Sequence, residues 1–154
     1  ENAAKILGVK ALRDATMEML DAAKDKMDDV TYRRARHVIT EDDRVLEAVK
    51  AFEQGNLAKL SELMYASHCS MRDDFEITIP EIDGLVEIIR EAIGENAAVR
   101  MTGGGFGGSV VAVVDPKNVE KVKAAIDEKY EKIAGRKATI IETHAFDGTV
   151  FTKL

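Results

Sequence analysis

Apolar residues recur at helical spacing through roughly the first 95 positions of the chain and at strand spacing over most of the remainder. Ala3 to Leu7, ended by Gly8, predicts a short helix, and Met17, Leu20, Ala23 and Met27 predict another turn or more. A long helix is expected over Tyr32 to Phe52, with Val38, Val45, Val49 and Phe52 as its apolar stripe; Thr40 and Asp43 form a capping box that would interrupt it. Gly55-Asn56 breaks this stretch, and Leu57, Leu60, Leu63 and Met64 open a helix running to about Met71. Arg72 to Thr78 has no helical period and reads as a polar loop. Pro80 then suits a first helical turn, Ile82, Leu85, Ile88, Ile89, Ala92 and Ile93 supply a core face, and Gly94 supplies the stop.

Beyond Gly94 the pattern changes. Ala98 to Thr102 alternates apolar and polar side chains, whereas Val110 to Val114 is a continuous, valine-rich run of the kind buried on both faces. Asp115 is a good N-cap with Pro116 behind it, and Val119, Val122, Ile126, Tyr130 and Ile133 keep a helical period up to Gly135. Ala138 to Phe146 is rich in β-branched residues and predicts a last strand; Asp147-Gly148 would turn Thr149 to Thr152 back as a hairpin, unless the tail is frayed. Strand, loop, strand, helix, strand after a run of helices argues for an α+β fold, an antiparallel sheet covered by helices on one face, like half of a split β-α-β plait. The 154 residues suit one domain, helical over about 1–95 and mixed over about 96–154.

Between the two predicted strands lies Gly103-Gly104-Gly105-Phe106-Gly107-Gly108, which places five of the chain's eleven glycines within six positions. Glycine costs conformational entropy and is used where the backbone takes positive φ or another group must come close to it. Such density fits a tight structural turn, or a loop that turns amide N–H groups toward a phosphate. Phe106, its one large side chain, could anchor the loop to a core or stack on a ligand. Gly103, Gly105 and Gly108 match G-x-G-x-x-G, but that dinucleotide motif must open a helix, and a strand follows here. The protein-kinase reading fails because no Val-Ala-Ile-Lys, His-Arg-Asp or Asp-Phe-Gly follows, and a P-loop fails for want of Gly-Lys-Ser/Thr.

Composition narrows the partners. With 22 basic and 28 acidic residues the formal charge is −6, which disfavours nucleic acid and anionic membrane as partners. The one dense basic cluster, Arg33-Arg34-Arg36-His37, reads as a solvated helix face. No apolar run approaches the roughly 20 residues that span a bilayer. A single cysteine, Cys69, cannot form an internal disulfide and fits a reducing compartment. The chain starts Glu1-Asn2-Ala3 without an initiator methionine, as a fragment or a processed product would.

Catalytic constellations are sparse. The three histidines stand at no metal-ligand spacing. His68 and Cys69 are adjacent on a predicted helix and point in different directions, which makes them a poor nucleophile pair. Asp73 and Asp74, with Arg72 and Glu76 alongside, read as a helix end with a surface salt bridge. Met17, Met27, Met64 and Met71 read as core filling.

Val99-Arg100-Met101-Thr102-Gly103-Gly104-Gly105-Phe106-Gly107-Gly108 closely resembles the third signature motif of galactokinases, within the superfamily that also holds homoserine, mevalonate and phosphomevalonate kinases. Ser67-His68, Ser70-Met71-Arg72-Asp73-Asp74-Phe75-Glu76-Ile77-Thr78 and Arg36-His37-Val38-Ile39-Thr40-Glu41 look galactokinase-like as well, so the likeness runs over nearly the whole chain. The resemblance implies ATP-dependent phosphorylation of the C1 hydroxyl of α-D-galactose, with Mg²⁺, in the cytoplasm, and a ferredoxin-like C-terminal domain. It assigns Gly103, Gly104, Gly105, Gly107 and Gly108 a place near the ATP phosphates, with Thr102 and Phe106 positioning the loop. The family's sugar-recognition motif, its Pro-x-Gly-x-Gly-Leu-Ser-Ser-Ser phosphate loop, its catalytic Asp and Arg and its Mg²⁺ ligands belong to an N-terminal half and are not found in this sequence. By resemblance the chain is the C-terminal part, inactive alone, with that half as its partner and no catalytic residue of its own. Another sugar or small-alcohol kinase of the superfamily, or a non-catalytic ferredoxin-like module, are the alternative readings.

Overall fold

The computed structural model describes residues 1–144 together with Gly148. Six α-helices and two strands follow one another: α1 (Asn2–Leu7), α2 (Met17–Ala22), α3 (Asp29–Glu53), α4 (Leu57–Asp73), α5 (Pro80–Ile93), β1 (Ala98–Thr102), β2 (Ser109–Val113) and α6 (Val119–Ala134). The expected α+β class, mostly helical with a small antiparallel sheet, is the one observed.

Local chemistry sets the helix ends. Thr16, Asp28 and Asn56 each accept a hydrogen bond from a backbone N–H three residues on, capping α2, α3 and α4. Gly8 and Gly135 close α1 and α6 in the left-handed region. Pro80 opens α5, and Asp115 caps a short turn at Pro116–Asn118 that leads into α6.

Two expectations for α3 fail. The helix is not interrupted at Thr40, because the Thr40 hydroxyl bonds back to the Arg36 carbonyl at 2.8 Å instead of capping a new turn. The stripe of Val38, Val45, Val49 and Phe52 is not its core face either. Tyr32, Ala35, Ile39 and Ala51 are buried, while Val45, Leu46, Val49 and Phe52 are more than half exposed. Ala11–Asp14 border this side only along a groove with Val38, Asp42, Val45 and Leu46, which leaves most of the stripe open.

The main core forms where α5, α6 and β1 meet. Val86, Ile88, Ile89, Ile93, Val99, Val122, Ile126 and Tyr130 pack there, and a second cluster of Ala3, Leu20, Tyr32, Ala35 and Ile39 joins α1 and α2 to α3. β1 and β2 pair antiparallel with Met101 opposite Val110 and Thr102 opposite Ser109, leaving the glycines as the connection between them. The burial of the two strands is the reverse of what their patterns suggest. Ala98, Val99 and Met101 are inaccessible to solvent, whereas Val111 and Val113 of β2 are exposed. Among the described residues β2 has one neighbour, so it is an edge, and a valine-rich strand is left uncovered on its free side.

The last predicted strand is not formed over Ala138–His144, which are irregular and, after Ala138, exposed. β-Branched residues favour a strand only where a pleated neighbour packs against them, and no described strand lies beside this segment. The remainder of that prediction, Ala145 and Phe146, and the hairpin over Thr149–Thr152 lie outside the described residues.

Candidate functional site

The glycine connection is held at its tip. Phe106 N–H donates to the Ile77 carbonyl at 2.7 Å, which seats the loop on a shelf made by Ile77–Ile79, the short segment ahead of α5. A Cβ added at Gly105 would lie 2.7 Å from both Ile77 Cβ and the Ile77 carbonyl oxygen, and φ there is +88°. Both contact and conformation therefore require glycine at 105. Gly104 differs: its φ is ordinary, and a Cβ built on it meets nothing within 4 Å. The chain itself gives no steric reason for glycine at 104.

Among the described residues the N–H groups of Gly103, Gly104, Gly105, Gly107 and Gly108 donate to no protein acceptor outside the strand ladder. Phe106 has φ of +57°, a strained conformation for a bulky residue, and its side chain is 74% exposed. Its backbone anchors the loop; its ring does not, so the core-anchor role for this side chain is corrected. Thr102 is exposed and paired with Ser109 at the mouth of the loop.

The shelf is clamped from the other side by α3. Glu76 takes φ of +54° and pairs with Arg33 at 2.9 Å and Arg34 at 2.7 Å. Arg33 and Arg34 also donate to the main-chain carbonyls of Asp73 and Asp74, at 3.0 and 2.6 Å. The His37 ring stacks on Phe75 with centroids 4.6 Å apart. The basic cluster is therefore not a freely solvated face: it is spent on the turn between α4 and α5. The sequence carried a usable signal in the acidic run about forty residues further on, opposite in charge to this helix face.

Asp74, expected at the surface, is buried; its carboxylate receives Arg36 and the Ser70 hydroxyl, the latter at 3.0 Å. Because that hydroxyl donates to Asp74, it accepts from His37 Nδ1 at 2.9 Å, which assigns the Nδ1–H tautomer. Burial pushes the His37 pKa down and keeps the ring neutral. Asp73 does form the expected ion pair, at 2.8 Å from Arg72, whose hydrogen bond holds its carboxyl below the usual range. Nearby, Glu41 accepts from Ser67 at 2.8 Å and faces Arg44 and Arg100. Burial raises the Glu41 pKa, but the hydrogen bonds from Arg44 and Ser67, with both positive charges, outweigh it and leave the group below its ordinary value.

His68 and Cys69 are not brought together. His68 is fully buried, and Cys69 is a free thiol. Among the described residues no group of three or more His, Cys, Asp and Glu side chains could hold a metal ion, and no helix is long and apolar enough to cross a membrane.

Three stretches far apart in sequence thus meet: Arg33–Glu41 on α3, Ser67–Ile79 around the end of α4, and Arg100–Ser109 around the loop. Residues 48–132, more than half of the chain, match the family described as GHMP kinases C terminal, and the chain belongs to that family. It is 50% identical over 151 residues to a galactokinase from Actinobacillus pleuropneumoniae, a match covering 96% of this chain and 39% of that protein. Its fold is similar to a crystal structure of Lactococcus lactis galactokinase complexed with galactose, with a TM-score of 0.82 and 38% identity over 89% of this chain and 36% of the other. The chain spans about two-fifths of the length of these relatives.

Proposed function

We propose that this chain is the C-terminal part of a galactokinase that transfers the γ-phosphoryl group of ATP to the C1 hydroxyl of α-D-galactose, giving galactose 1-phosphate and ADP. Its own contribution is the loop Thr102–Gly108, whose glycine N–H groups, at Gly103, Gly104, Gly105, Gly107 and Gly108, donate hydrogen bonds to the nucleotide phosphates, while the Phe106 N–H stays on the Ile77 carbonyl. The observation that carries this reading is Gly104, a glycine with ordinary φ and open space around it, in a run of amides without protein acceptors. Bare backbone facing open space is what a phosphate oxygen needs to come close. The 50% identity to a galactokinase favours galactose over other acceptors of the superfamily.

Phosphoryl transfer depends on positioning and on charge neutralisation in the transition state. The loop supplies positioning through fixed N–H dipoles. It supplies no cation of its own, since Arg100 is turned to Ser67, Glu41 and the Met101 carbonyl. Mg²⁺, when bound with ATP, would supply that neutralisation, and its protein ligands, with the catalytic groups, fall to the remaining part of the longer protein. The uncovered valines of β2 and the uncovered apolar side of α3 agree with a partner polypeptide packing there, more than with a free-standing binding module.

Co-expression of this chain with the remainder of the same gene tests the proposal. ATP-dependent phosphorylation of galactose, and not of a panel of other sugars, is expected only when both pieces are present. Activity on another acceptor would move the protein elsewhere in the superfamily, and a soluble, associated but inactive pair would favour the non-catalytic module.

A further inference from the structure

The two supports of the glycine loop, the end of β1 and the shelf at Ile77–Ile79, are separate in sequence, and one buried side chain lies between them. His68, on α4, is inaccessible to solvent. Its Nδ1 accepts from the Met101 N–H at 3.3 Å, two residues ahead of Gly103. Accepting there leaves the proton of the neutral ring on Nε2. Nε2 lies 3.2 Å from Asp83 Oδ1 on α5, an electrostatic contact without good hydrogen-bond alignment. Asp83 Oδ2 in turn accepts from the Thr78 hydroxyl at 3.1 Å, inside the shelf. The Ile77 N–H is tied back to the Met71 carbonyl at 3.0 Å, and Met71, Ile82 and Met101 pack together beneath, with Ile77, Ile79 and Val110 against them. A buried polar ring costs desolvation that an apolar residue filling the same space would not. Its two contacts run to β1 and, through Asp83 and Thr78, to the shelf.

We infer that His68 is a positioning residue for the glycine loop: it fixes the end of β1 relative to the shelf, so that the loop's open amides face outward in one arrangement. The inference rests on the phosphate reading of the loop for its functional meaning, but its geometry stands apart from that reading.

The test compares His68→Asn, His68→Gln and His68→Phe in the full-length protein, reading amide hydrogen exchange at Met101 and Phe106 beside the steady-state KM for ATP and for galactose. An Asn amide oxygen sits where Nδ1 does and still accepts from Met101; a Gln places its polar end where Nε2 does and does not. His68→Asn is expected to keep Met101 protection, while His68→Gln and His68→Phe lose about fivefold to tenfold, the weight of one buried hydrogen bond. The ATP KM should rise with the lost protection, and the galactose KM should not move. Unchanged protection in folded His68→Phe, or identical behaviour of the Asn and Gln variants, overturns the inference. Lost protection with an unchanged ATP KM upholds the positioning role and counts against the phosphate reading. If His68→Phe does not fold, the Asn and Gln pair decides the matter, with Thr78→Val expected to loosen Phe106 more than Met101.

Discussion

Gly105 and Ile77 touch so closely that a methyl group at 105 would overlap the Ile77 side chain and carbonyl oxygen at 2.7 Å. That contact decides where the loop sits. The same carbonyl accepts the Phe106 N–H, so the loop can neither lift from the shelf without losing a hydrogen bond nor settle deeper without a clash. Replacing Gly105 by Val should cost about 2 kcal/mol or more, from the clash together with the positive φ. Thermal or urea unfolding checks this. Stability equal to the parent would show that the loop is not seated as described.

Gly104 makes the opposite prediction. Gly104→Ala meets no atom and needs no strained φ, so folding stability should change by no more than about 0.5 kcal/mol. If phosphates approach the backbone there, the added methyl should still weaken ATP use in the complete enzyme by tenfold or so, a cost of about 1.4 kcal/mol. The ATP KM and calorimetric stability, measured on one preparation, separate the two effects. An unchanged ATP dependence would make the loop a structural turn.

The buried histidines predict a pH dependence. His37 and His68 both have pKa values pushed down by burial, His37 facing Glu41, Arg44, Asp74 and Arg100, and His68 facing Asp83, Arg72 and Glu87. A depressed histidine pKa means that the unfolded chain binds a proton the folded chain refuses. Stability is therefore whole above the ordinary histidine value near 6.5 and falls as pH drops below it, by up to about 1.4 kcal/mol per pH unit for each ring. The carboxylates titrate lower, so urea midpoints between pH 6.5 and about 5 report the histidines. His68→Asn should flatten that slope by up to one proton; an identical slope would mean that the buried ring does not titrate as described.

The bare side of α3 yields a fourth prediction. Leu46 and Phe52 are 64% and 58% exposed, so Leu46→Glu with Phe52→Glu should leave the chain's own unfolding within about 0.5 kcal/mol. The pair should weaken association with the co-expressed remainder of the protein, as measured by co-purification and by recovered kinase activity. Full association by the double variant would place the interface elsewhere.

Most helices were legible in the sequence because their reasons are local. The break at Gly55-Asn56, Pro80 at the head of α5, and the glycine stops at 8, 94 and 135 act within one turn of the chain, whereas the Asp28 cap ahead of Tyr32 emerged only from the structure. The glycine loop between two strands was equally local, since glycine density speaks to backbone geometry without help from the rest of the fold. Burial was less legible. Val111 and Val113 of β2 and the stripe from Val45 to Phe52 carry the composition of buried surfaces yet are exposed, because burial needs a neighbour on that side, whereas Val110 and Val114 do pack against the core. The strand predicted over Ala138–His144 fails for the same reason.

The sequence by itself thus determined the helices, the hairpin of β1 and β2, and a loop of nearly bare backbone, all from interactions spanning a few residues. Only the tertiary structure decided what that loop rests on and what holds its supports. Arg33 and Arg34 lie some forty residues from the carbonyls they clamp, and His68 lies thirty-three residues from the amide it receives. No periodicity encodes such pairings: they arise when helices pack, desolvate their polar groups and leave each buried donor or acceptor to find the partner that the fold has brought within reach.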